Sequence, residues 1–257
     1  MIAVPNEVQT RRPLVKLDSL TAFRRAHRIG SLTTTVQRNQ EPVTVERVIA
    51  THRARRKEIR KRLNEFDEVW RKGSDARLWE ELVYCIFTAG ASARMGLNSV
   101  AAVSSLLLEG QPEEMTVVLK KTGAHRFPAA RPRYIVTTRN YLRTNFDMAL
   151  RKRLRSFSDP FERRDWLAQE KQIKGLGYKE ASHFLRNIGV KGHAILDKHV
   201  MRCLTEVGVV DTAKPPANRK RYLEVEEEYL RFAKAIRINS DELDLVLWSM
   251  KTGEILK

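Results

Sequence analysis

Cysteine is scarce. Cys85 and Cys203 are the only two among 257 residues, too few for a disulfide framework or for a four-cysteine zinc or iron–sulfur site built by one chain. Both fall in apolar helical patterns and read as packed thiols, which suits a reducing compartment. No apolar run approaches the ~20 residues of a membrane span. Strand-like alternation does not persist anywhere, and the chain has neither an internal repeat nor a low-complexity tract. Acidic residues are in deficit: 31 Asp and Glu face 48 Lys and Arg, leaving a net charge of +17. Such a field concentrates polyanions and makes their binding salt-sensitive. Nucleic acid is therefore the leading partner class, ahead of an anionic membrane surface or simple basic solubility.

What is present is a chain long enough for a real hydrophobic core, with 42% apolar residues. Residues 1–43 carry Pro5, Pro13 and Pro42, scattered Arg and Thr, and little periodicity, and read as a flexible basic arm. A transit peptide is a minority reading, weakened by Glu7 and Asp18. Val45 to Trp70 follows as a strongly cationic helix, with Arg53, Arg55, Arg56, Lys57, Arg60, Lys61 and Arg62 either solvated or on phosphates. Further helices are expected at 76–87, 97–108, 131–145 and 218–236, with a last one starting at Ser240. Lys214 to Ala217 reads as a linker. The fold class is all-α, two helical subdomains flanking a cleft, within a domain at 44–257.

The most informative segment is Ile173-Lys174-Gly175-Leu176-Gly177-Tyr178-Lys179, a glycine-bracketed turn between helix-forming stretches at 161–168 and 180–186. Gly175 and Gly177 are expected to permit backbone angles closed to other residues and to bring main-chain N–H groups close to an anion. The helix that follows adds its positive dipole end. This is a helix-hairpin-helix at about 165–188 that suits DNA backbone, with Lys174, Gly175, Gly177 and Tyr178 as the contacts. A plain helix–helix turn reads equally well from these residues alone. Asp197 lies eighteen residues beyond Lys179, ahead of a helix at 198–204, and reads as a helix N-cap.

The run from Ile173 to Leu204 resembles the helix-hairpin-helix segment of the DNA glycosylase superfamily. Within it the chain is most similar to the archaeal-type 8-oxoguanine DNA glycosylase/lyase. The ending Leu247-Trp248-Ser249-Met250-Lys251-Thr252-Gly253-Glu254-Ile255-Leu256-Lys257 carries that likeness, as do Leu82 to Ala89 and Arg126-Phe127 through Val136. The resemblance covers about residues 64–257. Only Cys203 follows Asp197, which separates the chain from superfamily members that end in a four-cysteine cluster.

The resemblance implies an enzyme that extrudes an oxidised guanine from double-stranded DNA, removes it, and cleaves the strand. Lys179 would be the nucleophile at C1′, delivered as a neutral amine through burial and neighbouring cations such as Lys174. Asp197 would stabilise the oxocarbenium-like charge. Phe127 and Trp248 would stack on the base, Asp244 would accept from its ring N–H groups, and the terminal carboxylate on Lys257 would complete the pocket. Read without the family, Lys179 is an exposed first-turn residue, Phe127 and Trp248 are core aromatics, Asp244 is a dipole-complementing acid, and Lys257 is a frayed end.

No organic or metal cofactor is expected, although the resemblance implies that hairpin carbonyls hold a monovalent cation. His199 is read as structural, and His183 and His193 lack metal-ligand companions. Gly90-Ala91-Ser92-Ala93 departs from the bulky wedge that fills the gap left by a flipped base, with Arg94, Met95 and Arg126 as substitutes. One extruded nucleotide needs one pocket, so a monomer is expected. Localisation follows the DNA: cytoplasmic (nucleoid) in a prokaryote, nucleus or organelle in a eukaryote. A glycosylase for another lesion, or a non-catalytic DNA-binding module, are the alternatives.

Overall fold

The computed structural model describes residues 41–256. The arm expected at 1–43 therefore lies outside the described residues up to position 40, as does Lys257. Val43 already belongs to the folded domain: it is buried, and its N–H donates to Glu206 Oε2 at 2.8 Å.

Eleven α-helices follow in the described part. They are α1 (Val45–Lys72), α2 (Asp75–Thr88), α3 (Ala93–Ala102), α4 (Pro112–Thr122), α5 (Ala130–Phe146), α6 (Leu150–Arg155), α7 (Pro160–Gln169), α8 (Tyr178–Asn187), α9 (Lys198–Glu206), α10 (Arg219–Ala235) and α11 (Ser240–Thr252). Strands are absent among the described residues. None of the helices is long and apolar enough to cross a membrane.

Local chemistry sets the starts. Thr44, Ser74, Ser92 and Asn218 each accept a backbone N–H two or three residues into α1, α2, α3 and α10, satisfying donors that a helix end otherwise leaves bare. The Ser92 cap explains one departure from the sequence expectation. The helix expected at 97–108 starts at Ala93, because Ser92 Oγ accepts the Met95 N–H at 3.1 Å. It ends at Ala102, and a short 3₁₀ turn at Ser104–Leu106 follows.

Two hydrophobic clusters form. The first is built by α2 to α8 around Trp79, Tyr84, Phe87 and Phe184. The second gathers Val43, α1, the 194–210 stretch, α10 and α11 around Tyr222, Tyr229 and Leu247. The 28-residue α1, roughly 42 Å long at 1.5 Å per residue, lends Val48 and Ile59 to the second and Val69 and Trp70 to the first. Both cysteines are buried, and burial pushes the Cys203 thiol up to about 12.

The two clusters are joined by buried polar contacts. Arg164 of α7 forks onto Glu226 of α10 at 2.6 and 2.8 Å, with both side chains almost wholly removed from solvent. Within the second cluster, Glu242 at the start of α11 takes His52 at 2.5 Å and Arg60 at 2.9 Å, fixing α1 against α11.

The hairpin between α7 and α8 turns at Gly175, whose φ of +81° lies in the left-handed region. A Cβ there would stand 2.9 Å from the Tyr134 ring on α5. Gly177 does not behave as the sequence suggests. Its φ of −103° is open to any residue, and it serves instead as the N-cap of α8, its N–H donating to Glu180 Oε2 at 3.2 Å. The two glycines should thus respond differently to alanine. Gly175→Ala is expected to cost about 2 kcal/mol or more, and Gly177→Ala about 1 kcal/mol or less, read as urea-unfolding midpoints. Equal losses would refute this account of the turn.

Candidate active site

Lys179 occupies the first turn of α8, and three neighbours fix that turn. Tyr178, immediately before it, donates its hydroxyl to Asp165 Oδ1 on α7 at 3.0 Å. Asp165 is in turn forked by Arg219 at the start of α10, with contacts of 2.7 to 3.0 Å. Glu180 holds the Gly177 N–H with one oxygen and stands 3.3 Å from Lys179 Nζ with the other. Lys174 is exposed, and its backbone N–H is spent on Thr138 Oγ1 of α5 at 2.9 Å.

Asp197 is the N-cap of α9. Its Oδ1 accepts the His199 and Val200 N–H groups, both at 2.8 Å. This fixes the carboxylate plane and leaves Oδ2 without a hydrogen-bond partner among the described residues. The aspartate ends an irregular loop, residues 189–197, that crosses from one hydrophobic cluster to the other.

Lys179 and Asp197 line one cavity of about 1040 Å³. Its walls come from the α2–α3 connection, α8, the start of α9, the Pro215 to Asn218 segment, and the face of α11 that carries Asp244, Trp248 and Thr252. The chain turns back into it at Leu256. Trp248 is half-buried in the wall. Lys257 lies outside the described residues. Phe127 does not line the cavity: its ring is exposed, stacked under the guanidinium groups of Arg126 and Arg131 and beside Gly90. Of the hairpin residues, Gly177 and Tyr178 reach the cavity, whereas Lys174 and Gly175 lie beyond it. Gly90 to Ala93 form part of the rim together with Arg94, Met95 and Arg126. Arg94 pairs with Glu254, bridging this rim to the C-terminal tail.

Asp244 is not an idle acid at a helix start. It is buried in the cavity wall and pairs with Arg186 at 3.0 Å. Burial, with the nearby carboxylates of Asp197 and Asp241, pushes its carboxyl up to about 7 against the pull of Arg186. His199 is half-buried beside Asp197, and burial moves its imidazole below the ordinary value.

Sequence reasoning passed over three wall residues. Arg186 and His183 share the Lys179 face of α8 at i+7 and i+4, a stripe legible from spacing alone. His183 sets its ring edge-on to Tyr84 at 5.5 Å. Tyr222, from α10, carries no comparable signal, because its place depends on a distant helix.

The loop that presents Asp197 also buries His193, which packs against Phe161 and has neither ring nitrogen hydrogen-bonded among the described residues. Burial, reinforced by Arg164 and Arg163, pushes the imidazole down to about 4. The folded state refuses a proton that the unfolded chain accepts near 6.5, so stability present above that pH is lost as pH falls toward 4. At pH 5 the loss is about 2 kcal/mol relative to pH 7.5. His193→Gln is expected to remove this component, so that wild type loses that much more than the variant in urea titrations at the two pH values. Equal losses would show that His193 does not titrate in this way.

Comparison with known proteins meets this geometry. Residues 59–238 match the family model described as 8-oxoguanine DNA glycosylase. A Korarchaeum cryptofilum protein named 8-oxoguanine DNA glycosylase/AP lyase is 39% identical over 199 residues, 77% of this chain and 90% of that protein. A protein of the same name from Methanocaldococcus jannaschii is 35% identical, covering 77% of this chain and 91% of that one. Among solved structures, the Methanocaldococcus jannaschii 8-oxoguanine glycosylase/lyase in complex with a 15mer DNA containing 8-oxoguanine superposes with a TM-score of 0.75. It is 32% identical, over 83% of this chain and 99% of that one. The Thermotoga maritima 8-oxoguanine DNA glycosylase gives 0.74 at the same identity, over 83% and 98%. With two thirds of its length inside the family model and relatives matched almost end to end, the chain belongs to the 8-oxoguanine DNA glycosylase family.

Proposed function

We propose that this protein excises 8-oxoguanine from double-stranded DNA and then cleaves the strand at the resulting abasic site. The observation that carries the reading is the convergence, on one cavity, of the Lys179 amine and an Asp197 carboxylate with one oxygen pinned and the other unspent.

In this reading the hairpin, through Gly177, Tyr178, Lys174 and Gly175, holds the backbone of a duplex whose damaged nucleotide swings into the cavity. The C1′–N bond breaks with its electron pair leaving on the base, and Asp197 Oδ2 offsets the positive charge that grows on the sugar. The Lys179 nitrogen bonds to C1′ and gives up a proton, the C1′–O4′ bond then breaks with the ring oxygen taking up a proton as the 4′-hydroxyl, and the C1′=N Schiff base remains. Removal of a C2′ proton then expels the 3′ phosphate by cleavage of the C3′–O bond. Hydrolysis of the Schiff base frees the lysine.

Trp248 is the wall aromatic for stacking on the base, with the exposed Phe127 ring at the mouth as second candidate. Asp244 has one oxygen engaged by Arg186 and offers the other to a ring N–H. Lys257, outside the described residues and next to the lining Leu256, is kept as a candidate for the pocket. The turn also fits the monovalent cation of the family resemblance: the carbonyls of residues 174–176 accept no hydrogen bond from the described residues, and carbonyl oxygens are hard donors. Bound there, the ion would supply positive charge to a DNA phosphate. The working partner is DNA, the working unit a monomer, and the compartment that of the DNA: nucleoid in a prokaryote, nucleus or organelle in a eukaryote.

Borohydride reduction during reaction with a duplex bearing one 8-oxoguanine is expected to yield a covalent protein–DNA adduct, lost in Lys179→Gln. Asp197→Asn is expected to slow base release by about 100-fold or more. An adduct that survives in Lys179→Gln would refute the assignment. Two glycines added after Lys257 are expected to slow release of 8-oxoguanine, and unchanged release would remove Lys257 from the pocket.

A further inference from the structure

The loop carrying Asp197 makes few hydrogen bonds of its own, yet it must hold a carboxylate opposite an amine on another element. Its backbone is held by side chains instead. The Gly192 N–H goes to Asp241 Oδ1 at 3.0 Å and the Ala194 N–H to Glu226 Oε1 at 2.9 Å. Tyr222 makes the remaining contacts: its hydroxyl donates to the Ala194 carbonyl at 2.7 Å and accepts the Leu196 N–H at 3.3 Å. The same oxygen lies 3.3 Å from Ser182 Oγ, on α8 three residues after Lys179. Ser182 in turn accepts from Arg164 at 3.3 Å.

One buried hydroxyl thus touches both the helix that bears the amine and the loop that bears the carboxylate. Tyr222 is fully buried, and burial raises its phenol well clear of ionisation, so it remains a donor. The ring lies against Tyr178 at 5.7 Å, so removing only the oxygen leaves the packing in place.

We propose that Tyr222 is a positioning residue whose hydroxyl sets the separation of Asp197 from Lys179 by tying the 194–196 backbone to Ser182 of α8. This rests on the excision reading above and deepens it. The two chemical steps make different demands. Base loss needs the carboxylate opposite a nascent cation at a fixed distance, and small displacements there are costly. Cleavage at a preformed abasic site starts from an aldehyde with no base to expel, and it leans on the amine alone. Loss of the tether should therefore separate the two.

The test uses the full chain, with single-turnover rates on a duplex carrying 8-oxoguanine and on the same duplex carrying an abasic site. Rates are normalised to the borohydride-trappable fraction, so that misfolded protein drops out. Tyr222→Phe is expected to slow base release by about 10- to 100-fold while abasic-site cleavage stays within about threefold. Ser182→Ala, a smaller change, is expected to shift the ratio in the same direction. Parallel loss of both rates in Tyr222→Phe, or no loss of base release, overturns the positioning role. A wild type that releases base normally beside an unaffected variant overturns this proposal alone, and a wild type that leaves 8-oxoguanine in place overturns the excision reading and this proposal with it.

Discussion

The buried pair of Arg164 and Glu226 is the constraint on which the site depends. Taking two charges out of water is expensive, and such pairs are poor sources of net stability. Their value lies in geometry. Arg164 sits on the first helix of the hairpin, Glu226 on α10, and the pair also reaches Ser182 of α8 and the Ala194 N–H. The hairpin, the loop that follows it and the more distant α10 are fixed by two side chains. A hydrophobic replacement would fill the space without specifying direction, whereas planar fork and carboxylate meet in one orientation.

Acidic and basic side chains share the cavity wall. The chain carries a large positive excess that draws in a polyanion, yet Asp197, Asp244 and Glu180 all face the cavity. Attraction of DNA is a long-range matter of total charge. Stabilising a growing cation is a matter of a few ångströms. The two can coexist because the carboxylates are recessed and individually engaged, by helix N–H groups for Asp197, by Arg186 for Asp244 and by the capping Gly177 for Glu180.

Much of the architecture was legible in the chain. The long α1, the apolar α2 and the capped α11 announce themselves through periodicity and end chemistry, and their bounds moved by only a residue or two. The expectation that α3 starts at Leu97 missed because apolar residues were weighted above the Ser92 cap. In the hairpin, Gly175 bears out its left-handed geometry while Gly177 turns out to be a helix cap. The i, i+4, i+7 stripe of Lys179, His183 and Arg186 was there to be read. The engagement of Asp244 by Arg186 was not, since a partner 58 residues away leaves no local trace.

The sequence by itself determined the helical class, the basic character, the hairpin and, by resemblance, the family, because these rest on short-range periodicity, turn chemistry and motif. Only the tertiary structure decided that Phe127 lies outside the cavity, that Asp244 is engaged by Arg186, and that Tyr222 reaches the Asp197 loop. Each of these depends on which helix packs against which, and packing is fixed by the mutual fit of surfaces from distant segments, which no window along the chain contains.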